Sequence, residues 1–249
     1  MSTRSDDNER LARVTMLARR VADLGREVGL PYVAASADIS SPEPMLGQDG
    51  RPLAETTFEW MDSSLRYWRD RAFALRAPFI LATRYMAEPF FFQHGRFSSW
   101  RPLPRLETIE VAEAAEAFGV RAAIICPAYL TGGVIGAVVW AASAPTPELP
   151  ALYAARADQL HGAALRLVSS YWDRQSDVPA ARLTRREIQC LKWAAAGKTD
   201  NEIGSIVEIS MATVRFHLSN AATKMGVSGR SQAVHRAATL GYIGAAPGL

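Results

Sequence analysis

The sequence predicts an α+β domain, in which helices sandwich an antiparallel sheet, followed by an all-α domain of four helices. Three patterns indicate this. Apolar residues recur every three or four positions in residues 8–29 and 151–172, which is the period of an amphipathic helix. Residues 120–127 and 133–142 are β-branched and apolar on either side of AYLTGG, as expected of a hairpin. Residues 183–243 carry repeated helix start and stop signals.

The elements of the first domain follow in an order typical of a sheet with helices on its faces. A strand is predicted in residues 31–39, and the proline-rich stretch after it is expected to be a loop. Residues 56–60 form a second candidate strand. A helix over 63–74, ended by Pro78, and another over 107–118 precede the hairpin.

The predicted domain boundaries are 1–173 for the α+β domain, 174–181 for a linker and 182–249 for the helical domain. The composition, with 49% apolar and 21% charged residues in 249, is that of an ordinary globular protein. The chain has no apolar run of membrane-spanning length and no secretory signal, so we expect it to be cytoplasmic.

Two cysteines, Cys126 and Cys190, lie far apart in apolar surroundings. They are expected to be buried thiols, because neither has a second cysteine or a histidine at metal-ligand spacing. We therefore expect no disulfide framework, no metal site and no cofactor.

Positive charge is concentrated at the end of the chain. Residues 181–249 hold nine Lys and Arg against four Asp and Glu, whereas residues 1–180 hold 19 against 21. This asymmetry is expected if the last quarter of the chain meets phosphate groups.

Helix start signals in the second domain have the spacing of a helix-turn-helix. Thr184 and Glu187 form a capping box for the first helix. Thr199 or Asp200 begins a short second helix, and Ser210 begins the third. Two short helices with a tight turn between them, the second with a polar outward face, are typical of a DNA-binding helix-turn-helix.

The second domain resembles the LuxR-type helix-turn-helix. LTRRE, GKTDNEI, TVRFH and KMGVSGRSQA match the L-T-x-R-E, G-K-T-x-x-E-I, T-V-x-x-H and K-L-G-V-x-x-R-x-x-A motifs of that family. The resemblance implies architectural roles for Leu183, Glu187, Leu191, Gly197, Ile203, Val214, Met225 and Ala233. It also implies a set of DNA-side residues, namely Lys198, Thr199, Thr213, Arg215, His217, Asn220 and Lys224.

Within that set, the resemblance places Thr213 and Arg215 against base edges, and Lys198 and Lys224 against phosphates. His217 lies at the edge of the buried stripe of its helix. Packing between helices is therefore an equal alternative for its side chain.

The first domain resembles the autoinducer-binding domain of quorum-sensing regulators rather than a phosphorylated receiver, whose acidic pair and alternating strands are not visible. Aromatic residues of the family fall on Trp68 and Phe73, its P-x-x-W motif on Pro89 to Phe92, and its hairpin on 119–140. The implied ligand pocket comprises Trp68, Phe73, Ala77, Phe79, Phe92, Val111, Ile125 and Val139. The aromatic run in residues 79–100 is typical either of a plain hydrophobic core or of the lining of an apolar ligand site.

Polar groups by which this family holds an acyl-homoserine lactone are replaced here. The Asp that accepts from the lactone amide falls on Ala77, the Trp donor falls on Phe92, and hydroxyl positions fall on Ile125 and Val139. Each unpaired buried polar group costs about 1–3 kcal/mol, so such a lactone would bind weakly.

The sequence thus predicts a LuxR-type transcriptional regulator that responds to a non-standard ligand or to none. The alternative is an ordinary lactone-responsive regulator with a rearranged pocket. A third hypothesis makes residues 1–173 an enzyme or a pure dimerisation module, but no nucleophile elbow, phosphate loop or metal-ligand pair supports an enzyme. Predicted partners are double-stranded DNA, a second copy of the chain through residues 151–172, a small apolar signal molecule and RNA polymerase, with no membrane.

Overall fold

A computed structural model describes residues 2–61, 77–109, 111, 118–173 and 181–244, with residues 2–5 described by their backbone alone. The described chain divides into two compact units. The first unit holds the described residues up to Leu130 and from Val134 to Asp173, and the second holds Thr131–Gly133 and the described residues from Ala181 onward.

The first unit combines helices with one antiparallel sheet. Its described elements are α1 (Ser2–Glu27), β1 (Tyr32–Ser36), α2 (Leu53–Thr56), α3 (Pro78–Thr83), β2 (Phe90–Gln93), β3 (Arg96–Ser98), α4 (Pro104–Glu107), β4 (Ala122–Tyr129), β5 (Ile135–Ala142) and α5 (Leu149–Trp172). The strand order is β1-β5-β4-β2-β3. The predicted α+β class and its central hairpin, β4 with β5, are confirmed.

One face of the sheet is covered by α1 and α5. Trp140 of β5 is fully buried there, and its Nε1 donates to the carbonyl of Val21 in α1 at 2.9 Å. A Cβ on Gly25 would lie 2.8 Å from the Trp140 ring. The absence of a side chain at Gly25 therefore lets α1 pack directly on the indole.

The opposite face carries a cluster of phenylalanines. Phe79 of α3 and Phe92 of β2 have ring centroids 5.5 Å apart, and Phe97 of β3 contacts both rings and Phe90 edge to face. These rings are buried, so the four phenylalanines form part of the core.

The strand predicted in residues 56–60 is wrong. Leu53–Thr56 forms a short helix, and Thr57 N donates to Leu53 O at 2.9 Å in the helical pattern. Thr56 is the last residue of this helix and Thr57 is its C-cap, so neither has the extended backbone that pairing in a sheet requires. One hydrogen bond, from Val33 N to Glu59 O at 3.0 Å, joins the following residues to β1.

Pro78 is the first residue of α3, and whether it also ends a helix over 63–74 lies outside the described residues. Its ring fixes a helical φ and its missing N–H would have no partner in a first turn, so proline suits this position. The predicted helix over 63–74, most of the helix over 107–118 and most of the 174–181 linker lie outside the described residues.

The hairpin of β2 and β3 was not predicted. His94 and Gly95 connect the strands, and both have positive φ, 52° and 74°. Such two-residue connections match the twist of the flanking strands. Because FFFQ lacks an alternating apolar pattern, the sequence shows only an aromatic run there.

The second unit consists of α6 (Arg185–Ala195), α7 (Asp200–Val207), α8 (Met211–Lys224) and α9 (Arg230–Thr239). The four predicted helices are confirmed. Leu191, Ile203, Val214 and Ala233, predicted to be architectural, are fully buried in its core.

Cys126 and Cys190 are buried free thiols, as predicted, and burial raises the pKa of each. Across the part of the chain that the structure describes, no helix has the length and apolarity needed to cross a membrane.

Candidate nucleic-acid interface and apolar cavity

A tight turn joins α7 to α8. Glu208 follows α7 with φ 57° in the left-handed region, and Ser210 precedes α8 as its N-cap. A Cβ on Gly204 of α7 would lie 2.7 Å from the carbonyl oxygen of Ile209. Two short helices with this turn form a helix-turn-helix, and Gly204 permits the close approach of the turn to α7.

Both helices of the motif begin with side-chain caps. Thr199 Oγ1 accepts from Glu202 N, while the Glu202 carboxylate accepts from Thr199 N, forming a complete capping box. Hydrogen bonds from the Thr199 backbone and hydroxyl, with one from Lys198, lower the pKa of Glu202 to about 2. Ser210 Oγ accepts from Thr213 N and lies 2.8 Å from Thr213 Oγ1. The predicted DNA-side residues Thr199 and Thr213 are therefore engaged in helix starts.

Helix α8 presents an exposed face opposite its buried one. Val214, Leu218, Ala221 and Ala222 pack inward. The outward face of α8 consists of Ala212, Arg215, Phe216, Ser219 and Thr223, all exposed. Phe216 is 61% exposed. This face has the shape and the donors of a helix that enters the major groove.

The side chain of Arg215 is hydrogen-bonded to the carboxylate of Asp200 in α7. Its Nε donates to Asp200 Oδ2 at 3.1 Å, while its side chain stays 64% exposed. The other oxygen of Asp200 accepts from Arg230 Nη1, and Arg230 Nη2 donates to the carbonyl of Lys198. Three helices of the unit, α7, α8 and α9, thus meet at the Asp200 carboxylate.

Lys198 and Lys224, the two predicted phosphate contacts, both form ion pairs. Lys198 Nζ lies 3.3 Å from Glu202 across one turn, with both side chains largely exposed. Lys224 Nζ donates to both oxygens of Glu187 at 2.8 and 2.9 Å. The side chain of Glu187 is only 3% exposed, so the charge of Lys224 is neutralised within the unit.

Glu187 also completes the capping box that the sequence predicted. Its carboxylate accepts from Thr184 N at 2.7 Å, and its own N donates to Thr184 Oγ1. Burial alone would raise the pKa of Glu187, but the hydrogen bonds from Lys224 and Thr184 outweigh it and lower that pKa.

The remaining two predicted DNA-side residues flank the outward face of α8. His217 and Asn220 are both half-buried. The ring of His217 lies 5.8 Å from that of Phe216, close to perpendicular. Of the seven predicted residues, Arg215 presents the most accessible cation to a groove.

The first unit contains an apolar cavity of about 110 Å³ on the phenylalanine side of its sheet. Its described lining residues with a hydroxyl or carboxylate side chain are Ser36, Ser41 and Glu43. The remaining described lining residues are small, aliphatic or aromatic, namely Ala34, Ala35, Ile39, Pro42, Pro44, Trp60, Ala77, Phe79, Ile80, Phe118, Val120, Ala137 and Val139.

Three of the predicted pocket residues, Ala77, Phe79 and Val139, line this cavity. Phe92, Val111 and Ile125 are buried in the adjoining cluster, where the Phe79 ring contacts Phe92. Trp68 and Phe73 lie outside the described residues. Three of the eight predicted residues thus line one cavity, and three more belong to the cluster beside it.

Sequence reasoning missed the contribution of residues 34–44. Strand β1 and the loop after it supply about half of the described lining, including Ser41 and Glu43. A proline-rich loop carries no signal for facing a cavity, because its periodicity is neither helical nor that of a strand. Asp200 and Arg230 were also missed, since their partners are distant in sequence.

A sandwich unit with an apolar cavity, followed by a helix-turn-helix unit, is the arrangement expected of a regulator that joins a sensor domain to a DNA-binding domain. Residues 13–176 match the family described as autoinducer binding domain, and residues 181–237 match bacterial regulatory proteins of the luxR family. The chain belongs to this autoinducer-binding family of luxR-type bacterial regulators.

Similar proteins include two transcriptional activators. VanR of Vibrio anguillarum is 52% identical over 65 residues, which are 26% of this chain and 27% of VanR. AhyR of Aeromonas hydrophila is 30% identical over 141 residues, which are 55% of this chain and 54% of AhyR. The chain therefore matches only about a quarter to a half of the length of these relatives.

A solved structure of SdiA in complex with octanoyl-rac-glycerol shares the fold. Its TM-score is 0.50 at 20% sequence identity, and the alignment covers 95% of this chain and 93% of SdiA. This similarity concerns the arrangement of elements.

Proposed function

We propose that the chain is a transcriptional regulator that binds double-stranded DNA through the outward face of α8. The observation that carries this proposal is the exposed Arg215 on a helix whose opposite face is fully packed. The excess of nine basic over four acidic residues in 181–249 supplies the attraction to phosphates.

Arg215 is the principal base-reading residue in this proposal, because arginine donates two parallel hydrogen bonds to guanine O6 and N7. Thr213, Asn220 and His217 are the flanking candidates. Lys198 and Thr199 face the DNA backbone in this proposal. There the phosphates would compete with Glu202 for the ammonium group of Lys198. Lys224 supports the interface by fixing Glu187, and its direct phosphate contact stays a prediction.

The test compares Arg215→Ala with Arg185→Ala, an equal loss of charge at an exposed position on α6. The duplex is obtained by in vitro selection with the wild-type chain. We expect Arg215→Ala to weaken binding at least tenfold, since a good bidentate contact contributes about 1–3 kcal/mol of discrimination. Arg185→Ala should change affinity only through net charge. Equal losses in the two variants would contradict the proposed role of Arg215.

We further propose that the sensor unit responds to a ligand other than a standard acyl-homoserine lactone, or to none. The family's carboxylate and indole positions hold Ala77 and Phe92, which offer no polar side-chain atom to a lactone head group. A cavity of about 110 Å³ is smaller than the roughly 300–1,000 Å³ of typical ligand pockets. Both observations favour a small apolar ligand or an unliganded sensor.

One observation favours the alternative of a lactone-responsive regulator with a rearranged pocket. Glu43 lines the same cavity as Phe79, and the Phe79 ring contacts Phe92. A carboxylate at this place could accept a hydrogen bond from an amide.

Two ligands with the same acyl chain separate these alternatives. N-octanoyl-homoserine lactone carries the amide and lactone, whereas octanoyl-rac-glycerol carries neither. We expect the lactone to leave the melting temperature and soluble yield of the full chain unchanged. A rise with the lactone that is absent with the glycerol ester, and is lost in Glu43→Leu, which removes the acceptor oxygens, would establish the alternative. Mass spectrometry of an extract of purified protein identifies any ligand that co-purifies.

The remaining proposals concern assembly and location. A single helix-turn-helix contacts one half-site, so we propose that a homodimer binds a two-fold operator through two copies of α8. The family is one of transcriptional regulators, and we propose that the chain works in the cytoplasm and without enzymatic activity. A contact with RNA polymerase stays a prediction.

A further inference from the structure

The carboxylate of Asp200 connects the base-facing arginine to the rest of the second unit. Its Oδ2 accepts from Arg215 Nε at 3.1 Å, and its Oδ1 accepts from Arg230 Nη1. Its side chain is 21% exposed, compared with 64% for Arg215 and 36% for Arg230. The carboxylate therefore lies below the exposed guanidinium, with the second arginine at its other oxygen.

Arg230 fixes the carboxylate in place. While Nη1 donates to Asp200, Nη2 donates to the carbonyl of Lys198 in the loop before α7. The same guanidinium therefore joins the start of α9 to the loop before α7. Because Arg230 holds Oδ1 of Asp200, Oδ2 lies in a defined position from which it accepts from Arg215.

The bond to Nε determines what Arg215 can still do. Within the described part of the chain, the side chain of Arg215 donates through Nε, to Asp200, and not through its terminal nitrogens. The two terminal nitrogens therefore stay available as the fork that matches guanine O6 and N7. A long side chain that is already oriented loses less conformational freedom when it binds.

A negative charge on a DNA-facing surface is otherwise unfavourable. Phosphates repel it, so a carboxylate that only added charge would weaken binding to every sequence equally. A carboxylate that orients a base-reading arginine instead changes the ratio between the affinities for the preferred sequence and for other sequences.

We propose that Asp200 is a positioning residue for sequence recognition, which holds Arg215 in its base-reading orientation and is itself held by Arg230. This inference rests on the proposed DNA binding through Arg215. It assigns Asp200 and Arg230 to specificity and not to general affinity for DNA.

The experiment uses the full chain and two variants that each remove one carboxylate charge from the second unit. Asp200→Asn keeps the shape of the side chain but removes the charge that Arg215 and Arg230 share. Glu208→Gln removes an exposed charge at the end of α7. The probes are the duplex selected by the wild-type chain and a scrambled duplex of the same composition.

We expect Asp200→Asn to weaken binding to the selected duplex about tenfold, while binding to the scrambled duplex is unchanged or tighter. Glu208→Gln should change both affinities by one common factor. A ratio that falls no further in Asp200→Asn than in Glu208→Gln would overturn the inference.

Repeating the selection with Asp200→Asn and with Arg215→Lys distinguishes positioning from damage to the fold. We expect both variants to relax the preference at the same base pair. Relaxation at every position, or at a different base pair, contradicts the inference. A wild-type chain that enriches no sequence contradicts the proposed function and this inference together, whereas an unchanged selection by Asp200→Asn contradicts the inference alone.

Discussion

Glu187 is a buried residue in the first turn of α6, the first helix of the second unit. It caps α6 through Thr184 and pairs with Lys224 at the end of α8, so one side chain connects the two helices. Glu187 is only 2% exposed, so water could not solvate its charge if the ion pair with Lys224 were lost.

Glu187→Gln is expected to destabilise the second unit by about 1–2 kcal/mol, because the amide can replace the cap but not the ion pair. The loss is modest because Lys224 is 38% exposed and solvent screens its charge. Calorimetry of the full chain at pH 7 measures the change. Glu208→Gln, at an exposed position of the same unit, should leave the transition nearly unchanged.

The same pair makes stability dependent on pH. The folded pKa of Glu187 lies below its ordinary value of 4.5, so its stabilisation is complete above that value and is lost as the pH falls through the folded pKa. The difference between wild type and Glu187→Gln should therefore shrink below about pH 4.5. A difference that stays constant down to pH 3 would show that the charge of Glu187 contributes nothing.

Residues that act over short distances in the sequence were predictable. The capping box of Thr184 and Glu187 spans three residues and depends only on local backbone geometry, so its pattern is visible in one helix start. Asp200 pairs with Arg215 and Arg230, which lie 15 and 30 residues away. Such partners depend on how three helices pack, which no local pattern contains.

At the scale of elements, the turn between α7 and α8 depends on Gly204. Its Cβ position lies 2.7 Å from the carbonyl oxygen of Ile209, a backbone atom that cannot rotate away. Ile209 N also donates to Gly204 O at 3.0 Å, which fixes the turn against the helix.

Gly204→Ala is therefore expected to destabilise the second unit by about 1–3 kcal/mol, the usual consequence of overpacking. Gly162→Ala in α5 is the matched control, because its Cβ would meet nothing within 4 Å. There alanine should stabilise by about 0.5–1 kcal/mol through helix propensity. Calorimetry of the two variants measures both effects. If Gly204→Ala raised the transition temperature as Gly162→Ala does, the close approach at Ile209 would not be limiting.

Long elements with clear periodicity were predicted well, and short ones were not. The hairpin β4–β5 and the helices α1, α5 and α6 to α8 follow from apolar patterns of eight or more residues. Strands β2 and β3 hold four and three residues, too few for a period to show. The pairing of β2 with β4, and the turn at His94 and Gly95 that pairs β3 with β2, come from tertiary packing.

For the whole molecule, the sequence predicted the two kinds of unit but only part of the cavity. Family positions led to Ala77, Phe79 and Val139, which do line it. The loop around Ser41 and Glu43 reaches the same cavity because β1 pairs with β5 at the edge of the sheet. That placement is a property of sheet order, which a single sequence does not state.

The proposed homodimer makes a prediction for α5. One face of this helix, including Leu160, Ala164 and Leu167, is buried against the sheet and α1, whereas Leu165 is 40% exposed. We expect Leu165→Glu to shift the full chain from dimer to monomer in sedimentation velocity, because two carboxylates would meet in an apolar contact.

Leu81→Glu is the matched control: Leu81 is 37% exposed on α3, which packs on the opposite face of the sheet. Binding to the selected duplex should weaken at least tenfold in the first variant alone, since each monomer then contacts a single half-site. A dimer that survives Leu165→Glu but dissociates in Leu81→Glu would assign the interface to the other face of the sheet.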